Sequence, residues 1–461
     1  MLPFLSSLLV AQATSSLTFR ELPPQFIAEP QQVRTLPGKL NDVLVFNSNS
    51  PEVVQTEGVL LSTFPPNGKQ VPSAHLNKPM EGRFDIFTHH ISRPNQPRTL
   101  YQGILVHNPT SQTVIVRVLQ GASYLTSPDA PFVQLPPVVE DPSGRIFSGP
   151  GSRLMGDILR GFNDPQLARR ITIPPGQSRM LFSLPISPSN ARSTFMRVYS
   201  DGPVYVANLA MYEVPDQLSE DTEVITYRSP HLNEWRYLMT KGNLIFPRDL
   251  APTPPNAIRP EEKTIYGRVA GISVGSEWEA TVSDGPGKPY LSIPERGKAF
   301  SYPLSTVTTG THGTQQVQSA PMLVRYPDTA YQAHGNYGVH YSLTLPLSNK
   351  TNERQTVAVA LQTPFKQDQY ADRLIFTHRP QGQIFFRGTV RVAYKEQDGT
   401  TQARYFHLVQ RQGQQGEPLM RFNLAPGESR EVEVDFIYPP DATPPQVLTV
   451  RTLELFYGDS R

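Results

Sequence analysis

The sequence contains no cysteine. That absence excludes disulfides, thiolate metal sites, a cysteine nucleophile and a cysteine-borne lipid anchor, while fitting any compartment. An excess of one charge is also missing: 42 Lys and Arg stand against 40 Asp and Glu, for a net charge of +2. No run of Lys and Arg disturbs that balance, so the basic stripe of a nucleic-acid groove is absent and no nucleic-acid partner is expected. No apolar run reaches the roughly 18 residues of a membrane-crossing helix, so no transmembrane segment is expected. The signatures of chemistry are lacking too. There is no HExxH and no Asp/Glu/His cluster at metal-ligand spacing, so no metal and no cofactor is expected. "GISVG", Gly271 to Gly275, matches G-x-S-x-G, yet the residues after Ser273 read as a strand and a turn. A nucleophile elbow needs a helix there, so Ser273 is read as part of a β-turn and no catalytic residue is assigned.

Proline is what the chain has in plenty, 47 of 461 residues, about twice the usual share of roughly 5%. Proline starts turns and stays out of helix interiors and central strands. Here it is spread beside apolar runs such as "DVLVF" and "TVIVRVL", the pattern of many short strands joined by Pro/Gly turns. Strands dominate the expected architecture.

The start of the chain, "LPFLSSLLVAQA", is apolar from Leu2 to Val10 and closes on Ala11-Gln12-Ala13. Small residues at that spacing behind an apolar run mark a signal peptide over residues 1–13, cleaved before Thr14. The expected product is exported, to the periplasm, the outer envelope or the medium. It departs from the usual signal in having no Lys or Arg ahead of the apolar run.

One phrase occurs twice. "IPPGQSR" begins at Ile173 and "LAPGESR" at Leu424. Upstream of each stands an apolar run, an Asn, a polar turn and alternating valines: "LVHNPTSQTVIVRVLQ" from Leu105 and "LPLSNKTNERQTVAVALQ" from Leu345. Asn108 and Asn349 can start turns by bonding their own downstream backbone. Pro175-Gly176 and Pro426-Gly427 suit turn positions, where Pro presets φ and Gly accepts a positive one. Each copy is expected to open with a hairpin and to belong to an immunoglobulin-like sandwich. The expected fold is therefore all-β, with two immunoglobulin-like antiparallel β-sandwich domains, over 20–215 and 263–461. A short helical and Pro-rich segment, 216–262, should join them. Within it Ser229-Pro230 and Gly242 bracket a helix over "HLNEWRYLMTK". A second helix is expected over Arg153 to Phe162. In one respect the copies differ: Met180, Phe182 and Leu184 stand where Glu431, Glu433 and Asp435 stand later. An apolar second face on the first copy requires a cover, from this chain or a partner.

Candidate binding residues fall in polar loops. "FNSNSPE", Phe46 to Glu52, and "STVTTGTHGTQQVQ", Ser305 to Gln318, are dense in amides and hydroxyls with tyrosines nearby. Such groups suit glycan or peptide recognition, as well as plain solvated turns. Asn47, Asn49, Glu52, His312, Gln315 and Tyr337 are the candidate ligand-binding set. The Gly-rich entry to the first helix, with Gly151, Ser152 and Arg153, is a candidate anion site, because N–H groups at a helix start can hold an anion.

The phrases "LVFNSNSPEVVQTEGVLLSTFPP", "SGPGSRLMGDIL", "IPPGQSRML" and "QSAPMLVRYPDTAYQAHGNYGVHYSL" together resemble a cyanobacterial family catalogued only as a domain of unknown function. The resemblance runs from about Leu36 to the C-terminus. It implies an exported protein and brings no catalytic residues with it. The expected function is a structural or binding protein of the cell envelope whose partner is an envelope polysaccharide or an envelope protein. The rival expectation is an envelope glycan hydrolase or lyase with dispersed carboxylates, which leave no linear signature.

Overall fold

A computed structural model describes residues 26–95, 97–218, 225–259, 262–396 and 398–454. The expected signal peptide, 1–13, lies outside the described residues. The fold is all-β, with two α-helices, Pro150–Leu159 and Leu232–Lys241, among the described residues.

The longest strand, Ala191–Tyr212, organises the first half. Its opening part runs antiparallel between Met80–Ser92 and Val114–Leu125. The register then breaks between Ser200 and Val204, at Asp201-Gly202-Pro203. Beyond the break the same strand pairs with Leu100–His107 and Gly58–Ser62. One strand thus serves two layers, and Phe84, Ile104, Val116, Met196 and Val206 fill the core they share. In the second half, His340–Ser348 lies antiparallel to Ser429–Ile437 and parallel to Glu277–Thr281. Another sheet sets Gln355–Gln362 between Gln446–Thr452 and Met420–Leu424. Tyr341, Leu345, Val359, Val434 and Leu448 from both sheets make one core, with Tyr341 stacked on Phe436 at 5.2 Å.

The repeated phrase has an equivalent place in both halves. Asn108 Nδ2 donates to the carbonyls of Gln112 and Ile173, at 2.6 and 2.9 Å, while Oδ1 accepts from the Thr110 N–H and hydroxyl. Asn349 repeats this with Glu353, Leu424 and Thr351. Gly176 and Gly427 both take positive φ, 64° and 73°. The Asn108 N–H donates to the Gln177 carbonyl, and the Asn349 N–H to the Glu428 carbonyl. The expected hairpin is corrected, however. Leu100–His107 pairs with Ser178–Ile186, whereas Val114–Leu125 pairs with Arg170–Ile173. In the second copy His340–Ser348 and Gln355–Gln362 lie in different sheets. The Asn turn carries the chain from one layer to the other. Its buried amide bonds the carbonyl that ends the strand before the Pro-Gly turn, tying the two turns together.

Strand pairing also crosses the expected boundary. Phe26–Pro30, Gln32–Val33 and Lys39–Leu40 pair with Arg373–Thr377, Ala299–Leu304 and Glu277–Thr281. Ala270–Val274 pairs in the other direction, antiparallel to Leu44–Ser48. Ser273 sits on this strand and not in the expected β-turn; it is buried, with the strand Glu277–Thr281 and not a helix after it.

The apolar face of the first copy is covered by its own chain. A bulge between Met180 and Phe182 splits the expected face. Phe182 and Leu184 turn into the core, while Met180 stays outside, against Trp235. Trp235 and Met239 are the buried side chains of the helix Leu232–Lys241. That helix is capped at His231 rather than Ser229, because Glu234 reaches back to the His231 N–H at 2.7 Å, a capping box. In the second copy the charged face is paired instead, Glu431 with Lys395 and Glu433 with Arg391, each at 3.2 Å.

Candidate binding pocket

A pocket of about 170 Å³ opens where the two halves meet. A cavity of roughly 150 Å³ holds benzene, so this one has room for one six-membered ring. One wall comes from the strand Leu44–Ser48. Side chains alternate along a strand, so Phe46 enters the core and Asn47 faces the other way, into the pocket. Asn49 follows, its N–H bonded to the Val269 carbonyl at 2.8 Å, and Arg268 stands beside it. The opposite wall is the turn His334 to Tyr337, with Lys366 and Thr443. That turn is fixed by Asn336, at φ 48°, whose Nδ2 donates to the Gln318 carbonyl and whose Oδ1 accepts from the Ala320 N–H.

The lining is neutral apart from two cations. Arg268 ion-pairs with Glu52 and lies 3.6 Å from Asp249. Burial raises the Glu52 carboxyl despite that partner. Burial also lowers Lys366, which makes no ion pair among the described residues. His334, its ring 4.5 Å from that of Tyr266, is pushed down to about 4 by burial, so it is neutral at pH 7. Burial pushes Tyr337 up to about 12, and its hydroxyl donates to the Ala442 carbonyl at 3.0 Å. The side-chain oxygens of Asn47 and Asn49 are buried without a hydrogen-bond partner. An unmet buried polar atom costs about 1–3 kcal/mol. No carboxylate lines the pocket, so the paired carboxylates of a glycoside hydrolase are not among its lining residues.

The structure therefore brings Asn47, Asn49 and Tyr337 together and places Glu52 behind Arg268. It corrects their setting: Asn47 and Asn49 are buried, not displayed on a solvated loop. His312 is also buried, at positive φ, with neither ring nitrogen partnered and burial lowering it to about 4. It does not line the pocket, and Gln315 is exposed elsewhere. Gly151, Ser152 and Arg153 do stand at the start of the helix Pro150–Leu159. A Cβ on Gly151 would lie 2.4 Å from Pro440, and the Ser152 hydroxyl donates to the Ser148 carbonyl at 2.8 Å. Arg153 stacks on Tyr124 and lies 3.6 Å from Asp157. The chain itself occupies these groups. Tyr266, Arg268 and Lys366 escaped the sequence reading, because their only shared signal is proximity in space.

A family model described as "Protein of unknown function (DUF3370)" matches residues 31–452. The chain belongs to that family. No curated protein matches it. Among solved structures it is similar to Lac15 from a marine microbial metagenome, at 9% identity and TM-score 0.12, over 91% of this chain and 67% of that one. Fet3p, a multicopper oxidase that functions in iron import, matches at 9% identity and TM-score 0.13, over 81% of this chain and 56% of Fet3p. Procruciferin, an 11S globulin from Brassica napus, matches at 11% identity and TM-score 0.10, over 91% and 85%. TM-scores this low carry no argument about the family's fold or activity. Among the described residues no helix is long and apolar enough to cross a membrane, and no group of three or more metal-ligating side chains occurs.

Proposed function

We propose that this family member is an exported, non-enzymatic protein of the cell envelope that binds polysaccharide, on two related immunoglobulin-like β-sandwiches. The pocket between the halves carries the reading. It has room for one six-membered ring, amide side chains at Asn47, Asn49 and Asn336, aromatic side chains at Tyr266 and Tyr337, and no carboxylate in its lining. Amides and hydroxyl-bearing aromatics suit a ligand with many hydroxyls. The lack of paired carboxylates in the lining speaks against a hydrolase or lyase that works with carboxylates at this pocket. The matched Asn and Pro-Gly turns support two related sandwiches. The apolar run before Ala11-Gln12-Ala13 supports export.

A glycan array followed by calorimetry tests the binding. We expect Tyr266→Ala and Lys366→Gln to weaken a captured glycan by about tenfold, each having lost one good contact, while Gln315→Ala does not. Capture of no glycan, or equal binding by all three variants, refutes the reading. Turnover of the captured glycan refutes its non-enzymatic part. Capture of an envelope protein and of no glycan would favour protein docking. N-terminal sequencing of the mature protein should begin at Thr14.

A further inference from the structure

A second surface, away from the pocket, assembles arginines that are scattered in sequence. Strands Arg170–Ile173, Val114–Leu125, Ala191–Tyr212 and Met80–Ser92 lie side by side in that order. Their register sets Arg170 opposite Arg117, Arg117 opposite Tyr199, and Tyr199 opposite Arg83. Directly opposed residues share a face, so the four side chains form one row. Strands stand about 4.8 Å apart, which makes the row roughly 14 Å long. Val116, Val118, Val198 and Phe84 point the other way, into the core.

Further along this outer face the sheet is covered, where Phe87, Ala122 and Phe195 pack under the helix Pro150–Leu159 and Ile437. Where the cover ends, a groove of about 420 Å³ opens, lined by Arg83, Arg197, Gln120 and Glu277 among others. Asp85 answers Arg83 at 2.6 Å. Arg117 and Arg170 are exposed and make no ion pair among the described residues. Arg83 and Arg197 each keep a buried Nε without a partner. Tyr199, between the arginines, is 39% exposed.

We infer that this row and groove bind an acidic polysaccharide, a polyuronate. The guanidinium fork matches a carboxylate with two parallel hydrogen bonds. An exposed tyrosine between two such forks offers a flat face to a sugar ring. Glu277, paired with His340 at 3.2 Å on one oxygen, has a second oxygen that can accept from the hydroxyls a polyuronate has beside its carboxylates. Nucleic acid is disfavoured by the short row and by the chain's net charge of +2. The inference goes beyond the pocket reading, since it names the polymer's chemistry and a different surface.

The test is retention of the purified full chain on immobilised polygalacturonate at low and moderate salt, with methyl-esterified polygalacturonate as the neutral control. We expect binding to the acid form alone, weakened by about tenfold or more in R117E/R170E and in Y199A. The charge-matched pair K288E/R421E, exposed elsewhere, should bind as the parent does. Equal loss in that pair would mean unspecific attraction and overturn the inference. No retention of the parent, or full retention of R117E/R170E, would also overturn it. So would row-dependent binding of duplex DNA or phosphatidylglycerol vesicles without binding of polygalacturonate. Tyr266→Ala and Lys366→Gln should not change this retention, so the pocket reading and this one can fail separately.

Discussion

Replacing Asn349 with alanine should destabilise the second half as much as replacing Asn108 destabilises the first. Both side chains are fully buried. The Asn108 side chain makes four hydrogen bonds, to Gln112, Ile173 and twice to Thr110. The Asn349 side chain makes five, to Glu353, Leu424, Ala425 and twice to Thr351. A hydrogen bond contributes about 1 kcal/mol net, and an orphaned buried partner costs more. Some of the freed backbone groups can turn to water at the turn surface, so each substitution should cost about 3–5 kcal/mol, a large effect for a single residue. Urea unfolding followed by tryptophan fluorescence and by far-ultraviolet dichroism measures it. Thr110→Val and Thr351→Val, combined with the asparagine variants, separate the coupling within each turn. A cost below about 1 kcal/mol for either asparagine would refute the reasoning. So would a large cost in one copy alone, because the two turns would then not be the same structural device.

Trp235→Ala removes the buried ring that covers Met180 and Gly103, and should cost about 3–5 kcal/mol in the same assay; a loss under about 1 kcal/mol would show that the helix is not the cover of that face. Gly103→Ala would set a Cβ 2.8 Å from Met180 and 3.0 Å from the Trp235 ring, so it should lower the unfolding midpoint although alanine suits a strand better than glycine. Stability should fall as the pH drops from about 6.5 towards 4. Burial lowers His75, His90, His312, His334 and His407 to about 4, and His89 to about 3, so across that window the unfolded chain binds protons that the native one refuses. Asp85 and Asp441, pushed up to about 6 by burial, act the opposite way, as do the raised Glu52, Asp157 and His340, but His107 is lowered too and the lowered histidines outnumber these groups. Urea midpoints at pH 7.5 and 5 check the sign, and a higher midpoint at pH 5 would contradict it.

Several features were legible because their causes are local. The helix Leu232–Lys241 is signalled by a proline before it and Gly242 after it, and only its cap differs, lying at His231 rather than Ser229. His231 caps because Glu234 is three residues on, a local cue that the nearer Ser-Pro pair masked. The arrangement of Asn47, Asn49 and Tyr337 in one pocket was half legible. Their polar character was visible, but their burial was not, since Phe46 to Ser50 reads as a turn and is instead strand and inter-half seam. Arg268 and Lys366 gave no cue at all, because a lone cation in a sequence looks the same on a surface as in a pocket.

The sequence by itself determined the β class, the turn chemistry and the internal repeat. Pro, Gly and Asn act on their own few neighbours, and an alternating valine run needs no distant partner to be read. The tertiary structure alone decided which strand pairs with which. It made the Asn turn a passage between layers rather than a hairpin, and it sent Phe26–Leu40 to the second half. It turned Phe182 inward through one bulge and lined four scattered side chains into a basic row. The physical reason is that backbone hydrogen bonds are the same for every pairing and every register. The choice among them rests on core packing summed over residues hundreds of positions apart, which no stretch of sequence contains.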